Sequence, residues 1–145
     1  MEQALKVFAA NNPGAAVFAR GTAATHVMLA VSPHRLVLSM RGAINTEHLV
    51  ALLGEMRAAG HLASDDFSAL IDLTGFTGAI DWDEIKKIST VMPEGDSRTN
   101  KNAYVVHNSF LAMVAKISAA LFSKTECAAF TTDKVARKWL GWYTA

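Results

Sequence analysis

Short apolar runs separated by turn residues mark the first strands of the chain. Two such runs, residues 27–31 and 36–40, flank a segment that contains Pro33. Apolar runs on either side of a tight turn are typical of paired antiparallel strands. The sequence therefore predicts a β-hairpin here, whereas residues 15–20 are too rich in alanine to indicate a helix or a strand.

A helical pattern follows the hairpin. Its apolar positions recur at intervals of three and four residues and are Leu49, Leu52, Leu53 and Met56. This spacing places them on one face of a helix. Asn45 or Thr46 can cap the start of that helix, and Gly60 favours its end.

The rest of the chain alternates between apolar runs and helical patterns. Further strands are predicted at residues 67–73, 103–106 and 127–130. Helical patterns occupy residues 1–10, 81–92, 109–121 and 132–140. Strands that alternate with helices are joined by crossover connections and pair in parallel. The pattern predicts an α/β fold with a mostly parallel sheet, to which the hairpin adds an antiparallel edge.

The last predicted helix carries apolar and basic residues on different faces. The apolar residues expected to face the core are Val135, Trp139 and Leu140. The basic residues expected to face solvent are Lys134, Arg137 and Lys138. Such a basic face beside aromatic residues is typical of a solvated helix surface.

Composition and charge indicate one domain and exclude several functions. The chain has 145 residues, of which 51% are hydrophobic and 19% charged, and its net charge is +1. The lack of a basic excess argues against nucleic-acid binding. The longest apolar stretch, residues 110–122, contains Lys116, so no membrane span is predicted. We divide the chain into an N-terminal helix and extension, residues 1–25, and a domain of residues 26–145.

The single cysteine and the N-terminal residues indicate the cellular compartment. Cys127 is the single cysteine, as is typical of proteins in a reducing compartment. Glu2 and Lys6 interrupt the apolar residues at the N-terminus, so the pattern of a signal peptide is absent. We therefore expect a cytoplasmic protein.

The residues capable of catalysis or metal binding do not form a motif. The five histidines lack the spacing of a metal site. Ser109 follows His107, but it is placed to cap a helix and lies outside any G-x-S-x-G motif. Asp81, Asp83 and Glu84 could hold a cation, although acids at a helix start more often stabilise the helix. We predict no catalytic residue, no metal and no cofactor, and hence that the protein is not an enzyme.

The segment after the predicted strand 67–73 is the best candidate for an interaction site. It contains Gly75 and Gly78, but no lysine follows in the arrangement of a phosphate-binding loop. Trp82 lies between two acids at a predicted helix start, where an aromatic side chain is often partly exposed. The candidate interaction residues are Thr74, Phe76, Thr77, Asp81, Trp82 and Asp83.

The order and spacing of several segments resemble a known family. These segments are residues 36–42, 69–75, 103–106, 128–130 and 136–140. Together they resemble the SpoIIAA-like group of bacterial STAS-type proteins over residues 26–142. The resemblance implies a four- or five-stranded mixed sheet with crossover helices, in a small cytoplasmic protein without catalytic machinery. It also implies a relation to the CRAL-TRIO lipid-transfer fold.

The resemblance also bears on phosphorylation. In the anti-sigma-factor antagonists of the wider family, an Asp in the corresponding loop is followed by a phosphorylatable Ser and a Gly. Here Asp81 is followed by Trp82 and Asp83, so no hydroxyl occupies that position. An Asp there holds a permanent charge that no kinase can add or remove. A phosphorylation switch is therefore not expected.

Pattern and resemblance together predict a non-catalytic SpoIIAA-like binding or regulatory interaction module with an unknown protein partner. The alternative is a carrier of an apolar small molecule or lipid. The low share of charged residues also predicts an exposed apolar surface and a homodimer. The N-terminal helix and residues 139–143 are the expected dimer segments, because both lie outside the alternating strands and helices.

Overall fold

The computed structural model describes residues 3–32, 34–61, 68–78, 83, 100–107 and 125–142. In chain order the elements are α1 (Gln3–Asn11), β1 (Ala16–Gly21), β2 (His26–Ser32), β3 (Arg35–Gly42), α2 (Thr46–Ala58), β4 (Ser68–Phe76), β5 (Asn100–Val105), β6 (Thr125–Phe130) and α3 (Asp133–Leu140). The helices predicted at residues 81–92 and 109–121 lie outside the described residues, apart from Asp83. Among the described residues, no helix is long and apolar enough to cross a membrane.

The six strands of the described residues form one mixed sheet in the order β1-β2-β3-β4-β5-β6. Strands β1, β2 and β3 pair antiparallel, and β3 to β6 pair in parallel. The predicted α/β class, the hairpin and the parallel strands are confirmed. The predicted number of strands, four or five, is wrong.

The additional strand is β1, which occupies the alanine-rich segment that the pattern left unassigned. Alanine has little strand preference of its own. The strand forms because all six of its residues pair with β2, from Ala16 opposite Val31 to Gly21 opposite His26. The boundary drawn at residue 25 therefore falls in the turn between two paired strands of the same sheet.

Helices cover both faces of the sheet and make three layers. On the first face, α2 packs against the strands. Its buried residues are the four that the pattern predicted, namely Leu49, Leu52, Leu53 and Met56. On the second face, α1 and α3 pack against residues from β2 to β5, namely Ala30, Val37, Leu70, Ala103 and Val105. Neighbouring strand residues alternate between the two clusters, as the two-residue period of a strand requires.

The segments expected to lie outside the core are part of it. Leu5 and Phe8 of α1 are fully buried, and Trp142 is 3% exposed. The rings of Phe8 and Trp142 are 5.8 Å apart, and the indole N–H of Trp142 donates to the Ser68 hydroxyl at 3.0 Å. The expectation that these segments lie outside the core is wrong, because the large apolar side chains of Leu5, Phe8 and Trp142 cover the second face of the sheet.

Helix α3 packs on the sheet through two of its three predicted inward residues, Trp139 and Leu140. Its buried residue is Ala136, and Trp139 and Leu140 pack beside it. These three positions follow the helical spacing of three and four residues. Val135 precedes that stripe by one residue, about 100° around the helix, and is 51% exposed. The predicted inward position of Val135 is therefore wrong.

Candidate functional site

The carboxyl ends of β3 to β6 lie together at one end of the sheet, because these strands run in parallel. Ligands of open α/β sheets bind beside the carboxyl ends of the strands. Thr74 and Phe76 are among the last three residues of β4, and Thr77 follows the strand directly. Strand β4 extends further than the predicted 67–73, because its pairing with β3 continues to Phe76 opposite Gly42.

An irregularity in the pairing shapes the end of β4. Ser39 pairs with Asp72 and Arg41 pairs with Gly75, so β4 has one residue more than β3 between these pairs. Extra residues of this kind redirect side chains and are common beside functional sites. Here the Asp72 carboxylate accepts from the backbone N–H of Thr74 at 3.0 Å and from its hydroxyl at 2.6 Å. The carboxylate therefore holds the irregular segment in shape.

His107, which follows β5, connects this segment to the neighbouring strand. Its ring nitrogen Nε2 lies 2.6 Å from the carbonyl oxygen of Thr74. A carbonyl oxygen only accepts, so Nε2 carries the proton and donates. Asp72, Thr74 and His107 thus form a continuous hydrogen-bonded chain across the carboxyl ends of β4 and β5.

The two glycines of this segment permit close contacts. A Cβ atom at Gly75 would lie 3.3 Å from Nε of Arg41, whose side chain passes over this position. A Cβ atom at Gly78 would lie 2.9 Å from the ring of Phe76 and 3.0 Å from the carbonyl oxygen of Ile44. The backbone N–H of Thr77 donates to the Gly42 carbonyl oxygen at 2.9 Å. The segment is therefore packed closely against the end of β3.

The predicted interaction residues occupy different environments. Thr77 and Asp83 are exposed, Thr74 is half-buried and Phe76 is buried in the cluster beneath α2. Phe76 supports the segment from within the core. Asp81 and Trp82 lie outside the described residues. We refer to Thr74, Thr77 and His107 as the β4-end surface.

Sequence reasoning missed the part that Asp72 and His107 play. Asp72 was noticeable as the one charged residue that interrupts a buried strand pattern, and a hydroxyl residue follows it two positions later. That spacing is typical of a local side-chain to backbone turn. The contact of His107 with Thr74 joins positions 33 residues apart, and no local pattern indicates it. Among the described residues, no group of three His, Cys, Asp or Glu side chains is placed to hold a metal ion.

The fold defines the class of this chain. No protein-family model and no curated protein matches it. A solved structure that it resembles is an uncharacterized protein of the DUF3478 family from Shewanella loihica PV-4, which has a SpoIIAA-like fold. The TM-score is 0.54 with 18% sequence identity, and the match covers 88% of this chain and 94% of that chain. The chain therefore has a SpoIIAA-like fold, as the sequence resemblance implied.

Proposed function

We propose that the chain is a non-catalytic binding module that regulates or recruits a cytoplasmic protein partner through the β4-end surface. The observation that carries the proposal is the hydrogen-bonded chain from Asp72 through Thr74 to His107. It joins the ends of two strands and holds the intervening backbone in one arrangement. A surface ordered before binding loses less conformational entropy when a partner binds.

The hydrogen bonds at this surface favour recognition over catalysis. A hydroxyl nucleophile needs a base that accepts its proton, most often a histidine. His107 instead donates from Nε2 to the Thr74 carbonyl oxygen, and the Thr74 hydroxyl is bound to Asp72. These groups stabilise the segment, and Thr77 beside them is exposed to a partner.

A capture experiment with matched variants tests the proposal. Thr77→Arg places a large charged side chain on the β4-end surface. Asn11→Arg places the same side chain at the last residue of α1, away from the β4-end surface, where Asn11 is exposed. We expect wild type and Asn11→Arg to capture the same protein from a native lysate, and Thr77→Arg to lose it. Equal capture by both variants would remove this surface from the binding site.

Native mass spectrometry of the freshly purified protein distinguishes the alternative function, a carrier of an apolar small molecule or lipid. A binding module is expected at the mass of its polypeptide, 15.6 kDa or a multiple of it. An added mass that organic extraction releases as an apolar compound would favour the carrier and contradict our proposal.

A further inference from the structure

Strand β1 is one edge of the sheet. Among the described residues, no strand pairs with its outer side. The outer N–H and C=O groups of an edge strand are unpaired and can accept another strand. This edge lies three strands away from β4, so the inference below does not depend on the proposed function.

Proline and bulges, which keep edge strands apart in most proteins, are absent from this edge, and its charge is limited to one ion pair. Strand β1 contains no proline, and its pairing with β2 is unbroken. Its one charged residue, Arg20, binds Glu55 of α2 at 2.7 Å. On the opposite face of the strand, Val17 is 51% exposed and Ala19 is exposed as well. Strand β6, at the other edge, has the exposed acid Glu126.

The turn after β1 holds the strand in position. The N–H of Thr22 donates to the Thr25 carbonyl oxygen at 2.8 Å. The buried His26 ring donates from Nδ1 to the carbonyl oxygens of Thr22 and Ala23, at 3.0 and 3.2 Å. A Cβ atom at Gly21 would lie 2.2 Å from the Thr25 carbonyl oxygen, so this turn requires glycine. The outer edge of β1 is therefore held in an extended conformation that can pair with another strand.

We propose that two copies of the chain form a twofold dimer by antiparallel pairing of their β1 strands, which joins the two sheets into one. A twofold axis that reverses the strand direction and exchanges the two edges must be perpendicular to the sheet. The α2 helices of both copies then lie on the same face. Residues that pair across the interface must therefore come from the same face of β1.

Two registers satisfy this condition over most of the strand. In the first, Phe18 pairs with its own copy, Val17 pairs with Ala19, and Ala16 pairs with Arg20. In the second, Ala19 pairs with its own copy and Val17 pairs with Gly21. The first register brings the exposed apolar residues of the two copies together, which removes them from water.

Charge also selects the first register. It separates the two copies of Arg20 by four residues along the strands, about 13 Å, whereas the second separates them by about 7 Å. Like charges that face each other across a pair of strands are destabilising. The second copy fits this edge because the same mainly apolar strand, whose one charge is paired with Glu55 of α2, serves as both partners, as a twofold interface requires. The net charge of +1 adds little repulsion between copies.

Two variants with equal starting exposure test the proposal by sedimentation velocity. Val17 and Val135 are both 51% exposed, the first on β1 and the second on α3. Wild type and Val135→Lys are expected at twice 15.6 kDa. Val17→Lys brings charge to the interface, and its self-association is expected to weaken at least about tenfold. Circular dichroism establishes whether each variant is folded. If Val17→Lys is not folded, Ala19→Lys replaces it as the interface variant.

A monomeric wild type at every concentration would overturn the proposal, as would a Val17→Lys variant that associates as strongly as Val135→Lys. Cysteine cross-linking tests the register, in a Cys127→Ser background. A mixture of Val17→Cys and Ala19→Cys is expected to form an intermolecular disulfide, because directly paired residues have Cα atoms about 5 Å apart. A mixture that cross-links no more than Val17→Cys alone or Ala19→Cys alone would contradict the first register, because Ala19 pairs with its own copy in the second.

Discussion

The Asp72 carboxylate organises the carboxyl end of β4 at the scale of single residues. It accepts two hydrogen bonds from Thr74, and Thr74 in turn accepts one from His107. An acid placed in a buried strand is unfavourable unless such donors compensate it. The shape of the β4-end surface therefore depends on a few polar contacts.

The Thr74 hydroxyl should contribute measurably to stability. Thr74→Val keeps the shape of the side chain and removes the donor to Asp72. A hydrogen bond to a charged group contributes about 1.5 to 3 kcal/mol, and because Thr74 is half-buried we expect a loss of about 1 to 2 kcal/mol in the free energy of unfolding. Urea denaturation measures it. Thr77→Val, at an exposed residue, is the control and should change stability by less than about 0.5 kcal/mol.

Thr46 should behave in the opposite way. Its hydroxyl is buried, it has no hydrogen-bond partner among the described residues, and Thr46 is 3% exposed. Burial of an unpaired hydroxyl costs about 1 to 3 kcal/mol. Thr46→Val removes the hydroxyl and should raise the free energy of unfolding by about 1 kcal/mol. A lower midpoint of urea denaturation for this variant would show that the hydroxyl has a stabilising partner.

Phosphate should not switch the chain at the β4-end surface. The Thr74 hydroxyl is bound to Asp72, and phosphate there would meet a carboxylate of like charge. After incubation with a cognate kinase, peptide mapping should find no phosphate on Thr74 or Thr77. Phosphate mapped to either residue, with a change in partner binding, would contradict this prediction.

At the scale of elements, local patterns predicted helix α2 and the hairpin of β2 and β3. Helix α2 has an apolar stripe, and Asn45 accepts from the N–H of Glu47 at 2.9 Å as its cap. Strand β1 and the last residues of β4 were not predictable, because pairing with β2 and β3 forms them. In α3 the inward positions of Trp139 and Leu140 were predicted, but Val135 was taken for the third inward residue in place of Ala136, because alanine carries little signal in a hydrophobic pattern.

The two helix caps should differ in strength. Asn45 accepts its hydrogen bond at 2.9 Å, whereas Thr132 accepts from the N–H of Val135 at 3.4 Å. Asn45→Ala should lower the free energy of unfolding by about 1 kcal/mol, and Thr132→Ala should lower it by less. Urea denaturation of both variants measures the order. A larger loss for Thr132→Ala would contradict the distances.

At the scale of the whole molecule, Trp142 joins the two ends of the chain to the sheet. Its ring contacts Phe8 of α1 and lies 5.5 Å from the guanidinium carbon of Arg35, and its N–H binds Ser68. The sequence pattern placed both aromatic residues in the two segments expected to form a dimer interface. It could not show that α1 and the residues after α3 meet, because Phe8 and Trp142 are 134 positions apart in the sequence.

Removal of that ring should destabilise the entire fold. Trp142→Ala removes the contact with Phe8 and leaves a cavity on the second face of the sheet. Large aromatic to alanine changes in a core cost about 3 to 5 kcal/mol, and we expect a loss in that range. Trp142→Phe retains part of the packing and should lose less. Equal stability of Trp142→Ala and wild type in urea would place the ring outside the core.

Hydrogen exchange of the complex with the captured partner tests the central claim, that the β4-end surface is the binding site. If the partner binds there, the amides of residues 74–78 and of His107 exchange at least about tenfold more slowly in the complex than in the free protein. The amides of α1, on the second face of the sheet, should be unchanged. Protection confined to α1 or to the outer edge of β1, with residues 74–78 unaffected, would contradict the account.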